Sequence, residues 1–142
     1  MAAQVRCAFV YGLPPGYWHG SVSVLRASDG FHVMTPTLGS SAGGIAFDGE
    51  NMWVSGDNMN VLRASDGFHV MTLTVAAGPS GIAFDGANMW VVNVNSDTVS
   101  VLRASDGALV KTMPIGHEPR AIAFDGAFMW VTNRGSNTVS KR

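Results

Sequence analysis

Between Gly81 and Met113, apolar and polar positions alternate in short runs, each closed by a glycine-bearing turn. Gly81-Ile82-Ala83-Phe84 reads as a strand with Ile82 and Phe84 on one face and Ala83 on the other, the period of two that a pleated backbone imposes. Asp85-Gly86 marks a tight turn. Asn88 to Val92, rich in β-branched and aromatic residues, follows as a second strand. Thr98 to Arg103 makes a third and, after Ser105-Asp106-Gly107, Ala108 to Met113 a fourth. Asp-Gly suits a two-residue hairpin because glycine takes positive φ without steric cost and aspartate tolerates it. No segment carries the three-and-four spacing of an amphipathic helix.

The same four-strand pattern recurs along the chain. Val24-Leu25-Arg26-Ala27-Ser28-Asp29-Gly30 returns unchanged at Val61 to Gly67 and at Val101 to Gly107. Ile45-Ala46-Phe47-Asp48-Gly49 returns in position, with its Ile-Ala-Phe-Asp-Gly intact, from Ile82 and from Ile122. A period of roughly 40 residues built of four short strands is the signature of a propeller blade, and parallel solenoids have shorter periods. The expected fold is therefore all-β: a β-propeller of four-stranded antiparallel meander blades, about 3.5–4 to the chain. Residues 1–142 read as one arc, with a degenerate blade over about 5–38, blades over about 43–76 and 80–116, and an incomplete blade over about 120–142 lacking its outer strand. In the degenerate unit Arg6 to Val10 stands for the inner strand. Gly16-Tyr17-Trp18 sits where Met-Trp-Val is due, after the interruption Leu13-Pro14-Pro15-Gly16.

Gly81 to Gly86 followed by Met89-Trp90-Val91, and above all Met129-Trp130-Val131-Thr132-Asn133, resemble the YVTN and NHL-type propeller repeats of bacteria. The same phrases are similar to the blades of virginiamycin B lyase-like proteins. The resemblance runs from about residue 21 to residue 142. It implies the fold and carries no activity, since one fold hosts many functions. In lyases of the virginiamycin type a His and a Glu with a magnesium ion carry the elimination. No motif beyond the blade matches those residues to positions here, so no catalytic residue is carried over.

Stacked blades are apolar on both faces, and an open arc leaves two of those faces wet. Two chains together would supply seven or eight blades, so a homodimer forming one eight-bladed ring is expected, with the unpaired edge near Val139 also favouring association. Composition supports a packed domain, with 46% apolar and 13% charged residues. The net charge of −1, with Lys and Arg scattered singly, gives no nucleic acid or anionic membrane a purchase. Cys7, the sole cysteine, allows no intrachain disulfide and no Cys-based metal site. The chain shows no signal-peptide h-region and no bilayer-length apolar run, so a soluble protein is expected.

The Asp-Gly turns of each unit share one end of the blades. The other end carries the second-to-third-strand loops and the inter-blade loops, where the copies differ from one another. Loops on a rigid scaffold are where binding usually resides, so the candidate ligand residues are Asn95, Asp97, His117, Glu118, Arg120, Asn133 and Arg134. A His beside a carboxylate can move protons near neutral pH. An exposed inter-blade loop is the favoured reading of His117-Glu118.

The repeated Asp29, Asp48, Asp66, Asp85, Asp106 and Asp125 read as turn residues rather than a metal ring. Asn93 to Asp97 begins like a calcium loop but lacks its sixth-place Gly and twelfth-place Glu. Gly39 to Gly44 lacks the Lys and Ser/Thr of a phosphate loop. Trp53, Trp90 and Trp130 are assigned to blade packing, and Arg26, Arg63 and Arg103 to surface pairs with turn aspartates. His32 and His69 are placed on exposed outer strands, and His19 falls in the irregular unit. No catalytic residue, metal or cofactor is expected.

Three functions follow. The first is a non-catalytic binding or scaffold propeller taking a protein, peptide or glycan. The second is a lyase- or hydrolase-like enzyme with His117-Glu118 at the ring mouth. The third is a recently amplified repeat without a dedicated ligand. The near-identity of the copies weighs against the enzyme, which needs different residues converging from different blades.

Overall fold

The computed structural model describes residues 4–8, 20–38 and 41–142, and among them every regular element is a β-strand. The first sheet joins β1 (Gln4–Ala8), β2 (Ser21–Leu25) and β3 (His32–Met34). The second runs β4 (Ile45–Phe47), β5 (Asn51–Ser55), β6 (Met59–Arg63) and β7 (His69–Leu73) in simple spatial order. The third repeats it with β8 (Pro79–Phe84), β9 (Asn88–Asn93), β10 (Thr98–Arg103) and β11 (Leu109–Pro114). The fourth holds β12 (Pro119–Phe124), β13 (Met129–Asn133) and β14 (Thr138–Lys141). All pairings are antiparallel, and the sheets stack with first strands β4, β8 and β12 side by side. This is the blade arrangement of a propeller.

Alternation along each strand sends one set of side chains forward to the next blade and the other set back. Trp53, Met59 and Val61 on the forward face of the second sheet meet Ile82, Met89, Val91 and Leu102 on the back face of the third. Val92 and Val99 on the forward face of the third, with half-buried Trp90, meet Val131 and Ile122 of the fourth. Each such fully buried side chain contributes about 1.5–3 kcal/mol. Ala46, Ala83 and Ala123 stand directly opposite Trp53, Trp90 and Trp130 in the ladders, leaving room for the indoles.

Glycine sets the spacing of the first strands. A Cβ at Gly81 would lie 2.6 Å from the Arg120 carbonyl oxygen on β12, and one at Gly44 would run into the Ser80 carbonyl oxygen on β8. In the fourth sheet Ala121 occupies the same place.

Two expectations are corrected. Of the segment Arg6 to Val10 expected as the inner strand, the described part, Arg6 to Ala8, lies elsewhere: Gln4–Ala8 pairs with β2 in the register that β5 and β9 hold against β6 and β10, with Val5 opposite Val24 as Trp53 is opposite Val61. The β2 strand repeats the third-strand phrase, so the segment paired to it takes the second-strand place. The expectation for Gly16-Tyr17-Trp18 lies outside the described residues. Nor are the Asp-Gly turns two-residue hairpins centred on that dipeptide. In the first kind Asp48 and Asn51 close the turn by the Asp48 N–H to Asn51 carbonyl bond of 3.1 Å, with Gly49 at φ 105°. In the second kind the Arg63 N–H bonds the Phe68 carbonyl at 2.8 Å, so four residues are looped out and Gly67 takes φ 71°. In both kinds the aspartate side chain accepts backbone amides further along the turn, Asp48 those of Glu50 and Asn51 and Asp66 that of Phe68, which puts the aspartate at the start of the first loop and inside the second.

Candidate functional site

The two ends of the sheets are built differently. At the Asp-Gly end each first-turn aspartate is used fully. Asp85 Oδ1 accepts the Ala87 and Asn88 amides at 2.8 and 2.7 Å, and Oδ2 accepts the Trp90 indole N–H at 2.7 Å. Asp48 with Trp53 and Asp125 with Trp130 repeat the arrangement. The bonds from the Trp130 indole and the Phe128 and Ala127 amides pull the Asp125 carboxyl from its ordinary 3.8 down to about 2. For Asp85 burial pushes the pKa up, but the Asn88 amide and the Trp90 indole outweigh it and the net direction is down. The second-turn aspartates pair with arginine, Arg63 to Asp66 at 2.9 Å and Arg103 to Asp106 at 2.8 Å, while Arg26 to Asp29 is looser at 3.3 Å. Arg26 and Arg63 also lie over Phe31 and Phe68. Every repeated aspartate is thus engaged within its own hairpin, and no group of three metal-ligating side chains occurs among the described residues.

The opposite end holds the candidate residues. The loop after β9 and the loop before β12 meet there: Asp97 Oδ2 lies 2.8 Å from His117 Nδ1, and Asp97 Oδ1 accepts the Glu118 amide at 2.9 Å. The loop after β13 closes over the same turn, with the Arg134 N–H on the Glu118 carbonyl at 2.9 Å and the Gly135 N–H on the His117 carbonyl at 3.0 Å. The Arg134 guanidinium stands 3.9 Å from the Glu118 carboxylate. Asp97 and Glu118 both adopt positive φ, 53° and 47°. The bond to Asp97, then the Asp97 and Glu118 charges, raise the His117 pKa above its ordinary 6.5. The bond from His117, then that from the Glu118 amide, lower Asp97. His117, Asp97, Glu118 and Arg134 therefore form one exposed cluster tying the third blade to the fourth.

The other three candidates lie apart from it. The Asn95 amide bonds the Ala77 carbonyl at 3.2 Å, on the loop before β8. Arg120 lies exposed on β12, and its carbonyl accepts a long 3.4 Å bond from Ser80 Oγ. Asn133 is buried, with Nδ2 donating to Thr138 and Ser140 at 3.2 and 2.9 Å, as Asn93 does to Thr98 and Ser100. It holds its loop from within and offers no surface contact. His32 and His69 bond Thr35 and Thr72 on the exposed outer strands.

One feature was not apparent from the repeat. A cleft of about 590 Å³ lies between the first and second sheets, walled by Val22 and Val24 on one side and Ile45, Met52 and Leu62 with Arg63 on the other.

No protein-family model and no curated protein sequence matches the chain. Solved structures do. The chain is similar to hydrazine synthase of Kuenenia stuttgartiensis at TM-score 0.82 and 18% identity, over 97% of this chain and 54% of that one. It is similar to the computationally designed Ika4 protein at TM-score 0.72 and 15% identity, over 87% of this chain and 79% of that one. The WD40 repeats of RRP9 give TM-score 0.65 at 16% identity, over 85% of this chain and 44% of that one. The chain thus spans about half the length of the hydrazine synthase chain. At these identities the likeness establishes the fold, a β-propeller arrangement of blades. No helix among the described residues is long and apolar enough to cross a membrane.

Proposed function

We propose that the chain is a non-catalytic binding or scaffold propeller, with blades of the YVTN/NHL type, that closes its ring with a second copy and binds a protein, peptide or glycan at its variable-loop end. One observation carries this reading. Trp53 is 1% exposed because the third blade covers it, whereas Trp130, at the same place on the fourth, is 41% exposed beside Val139 at 60%. The surface that covers a forward face in the interior of the stack is the back face of another blade. The first blade, with half-buried Leu25 in the place of Leu62 and Leu102, has a back face that no described residue covers, so a second copy supplies the complement.

Light scattering at micromolar concentration tests the proposal. Twice the 15.0 kDa chain mass is expected, and a clean monomer overturns it.

The lyase- or hydrolase-like reading has one observation in its favour, the His117–Asp97 pair. That pair is about half exposed, and water screens it where catalysis needs a dry, preorganised site. The seven-residue phrase held unchanged in three blades agrees with recent amplification, which is compatible with a scaffold.

A further inference from the structure

Three methionines, Met59, Met89 and Met129, are fully buried in the blade interfaces. Two others, Met34 and Met71, are half-buried and hold the same place on successive outer strands, in the phrase Phe-His-Val-Met-Thr that starts at Phe31 and again at Phe68. Each of their sulfurs lies against the next blade. A Cβ at Gly67 would lie 3.1 Å from Met34 Sδ and 3.2 Å from Pro36 Cγ. A Cβ at Gly107 would lie 3.1 Å from Met71 Sδ and 2.8 Å from Leu73 Cδ1. Two side chains of one blade thus close over a glycine in the second turn of the following blade. Met71 also packs against the core between the second and third sheets.

A thioether suits that contact because it is unbranched, polarizable and apolar. Its sulfoxide does not. The added oxygen is a polar acceptor, and burying it without a donor costs free energy. The amides it would meet are already engaged. The Gly67 N–H donates to the Arg63 carbonyl and the Gly107 N–H to the Arg103 carbonyl, each at 2.8 Å. The Phe68 and Ala108 amides donate to Asp66 and Asp106 at 3.0 Å. A sulfoxide oxygen therefore takes its partner from water, and the side chain leaves the glycine to reach it.

We propose that Met34 and Met71 make the first two blade junctions sensitive to peroxide, sulfoxide at either sulfur releasing the outer strand from the glycine of the next blade. The sulfur lone pair attacks one oxygen of hydrogen peroxide. The S–O bond forms as the O–O bond breaks, and the proton on the transferred oxygen passes to the departing hydroxide, which leaves as water. Sulfur gives up the two electrons that the peroxide gains, and sulfoxide reductases reverse the change. Both contacts join blades within one chain. The proposal therefore goes beyond the proposed function and is independent of ring closure and of any ligand.

The whole protein is treated with dilute hydrogen peroxide and followed by peptide mass spectrometry and amide exchange. Met34 and Met71 should gain oxygen before Met59 and Met89. Exchange at the Gly67 and Gly107 amides should then rise about fivefold or more, the change that loss of one modest contact produces. Treatment with methionine sulfoxide reductases for both epimers should restore the starting rates. In the Met34→Leu/Met71→Leu protein, whose side chains keep nearly the same volume, peroxide should leave both amides unchanged. Circular dichroism checks the fold of that variant. Oxidation of Met34 and Met71 no sooner than the buried pair overturns the proposal. Sulfoxide at both positions without faster exchange at the two glycines does so too, as does a rise that the reductases do not reverse or that the leucine variant shows equally.

Discussion

Each first-turn carboxylate bonds two amides and an indole, which is why aspartate, tryptophan and the five-residue step between them recur together. The aspartates were legible as turn residues from their Gly neighbours. Their bond to tryptophan was not, because it depends on which face of the strand the indole lies against. His117 and Asp97 show the same limit from the other direction: twenty positions apart, they meet only when consecutive blades stack. The pair has a testable consequence. His117 titrates above 6.5 in the folded chain, so its contribution to stability is complete below 6.5 and is lost as pH rises through the raised value. The thermal midpoint should fall over that interval, measured from about pH 6 to about pH 8.5, and the fall should shrink in His117→Ala. An unchanged slope in the variant would remove the pair from any role at the junction.

Among the elements, the strands themselves were easy to place, because alternation and glycine-bearing turns bracket them on both sides. The turns were harder. Asp-Gly is compatible with several loop lengths, and the length is decided by where the ladder stops, a property of two strands at once. The first-strand glycines are legible only in part: Gly44, Gly81 and Ala121 align in the repeat, but their meaning comes from the neighbouring backbone. Gly81→Ala forces a Cβ against the Arg120 carbonyl and should cost roughly 1–3 kcal/mol, read as a lower denaturant midpoint in equilibrium unfolding. Wild-type stability in that variant would mean that β8 and β12 separate freely, against the close spacing described above.

For the molecule as a whole, the question is what lies against the fourth blade. Lys141 at a position that is valine in the two preceding blades, and Trp130 exposed beside it, distinguish this face from the internal ones. Trp130→Glu places a charge where the second copy is proposed to pack and should shift the assembly to monomers by light scattering while leaving the β-sheet spectrum intact. A dimer that survives the substitution would put the contact elsewhere.

The repeat alone determined the blades, their strand order and which loops share an end, because local alternation and turn chemistry act over a few residues and return each time the phrase returns. The tertiary structure decided that β1 takes a second-strand place, that Asp97 and Arg134 reach the His117-Glu118 loop while Asn133 stays inside, and that a cleft opens between the first two sheets. Those outcomes depend on register and on the distance between neighbouring sheets. Neither quantity is carried by any single stretch of chain.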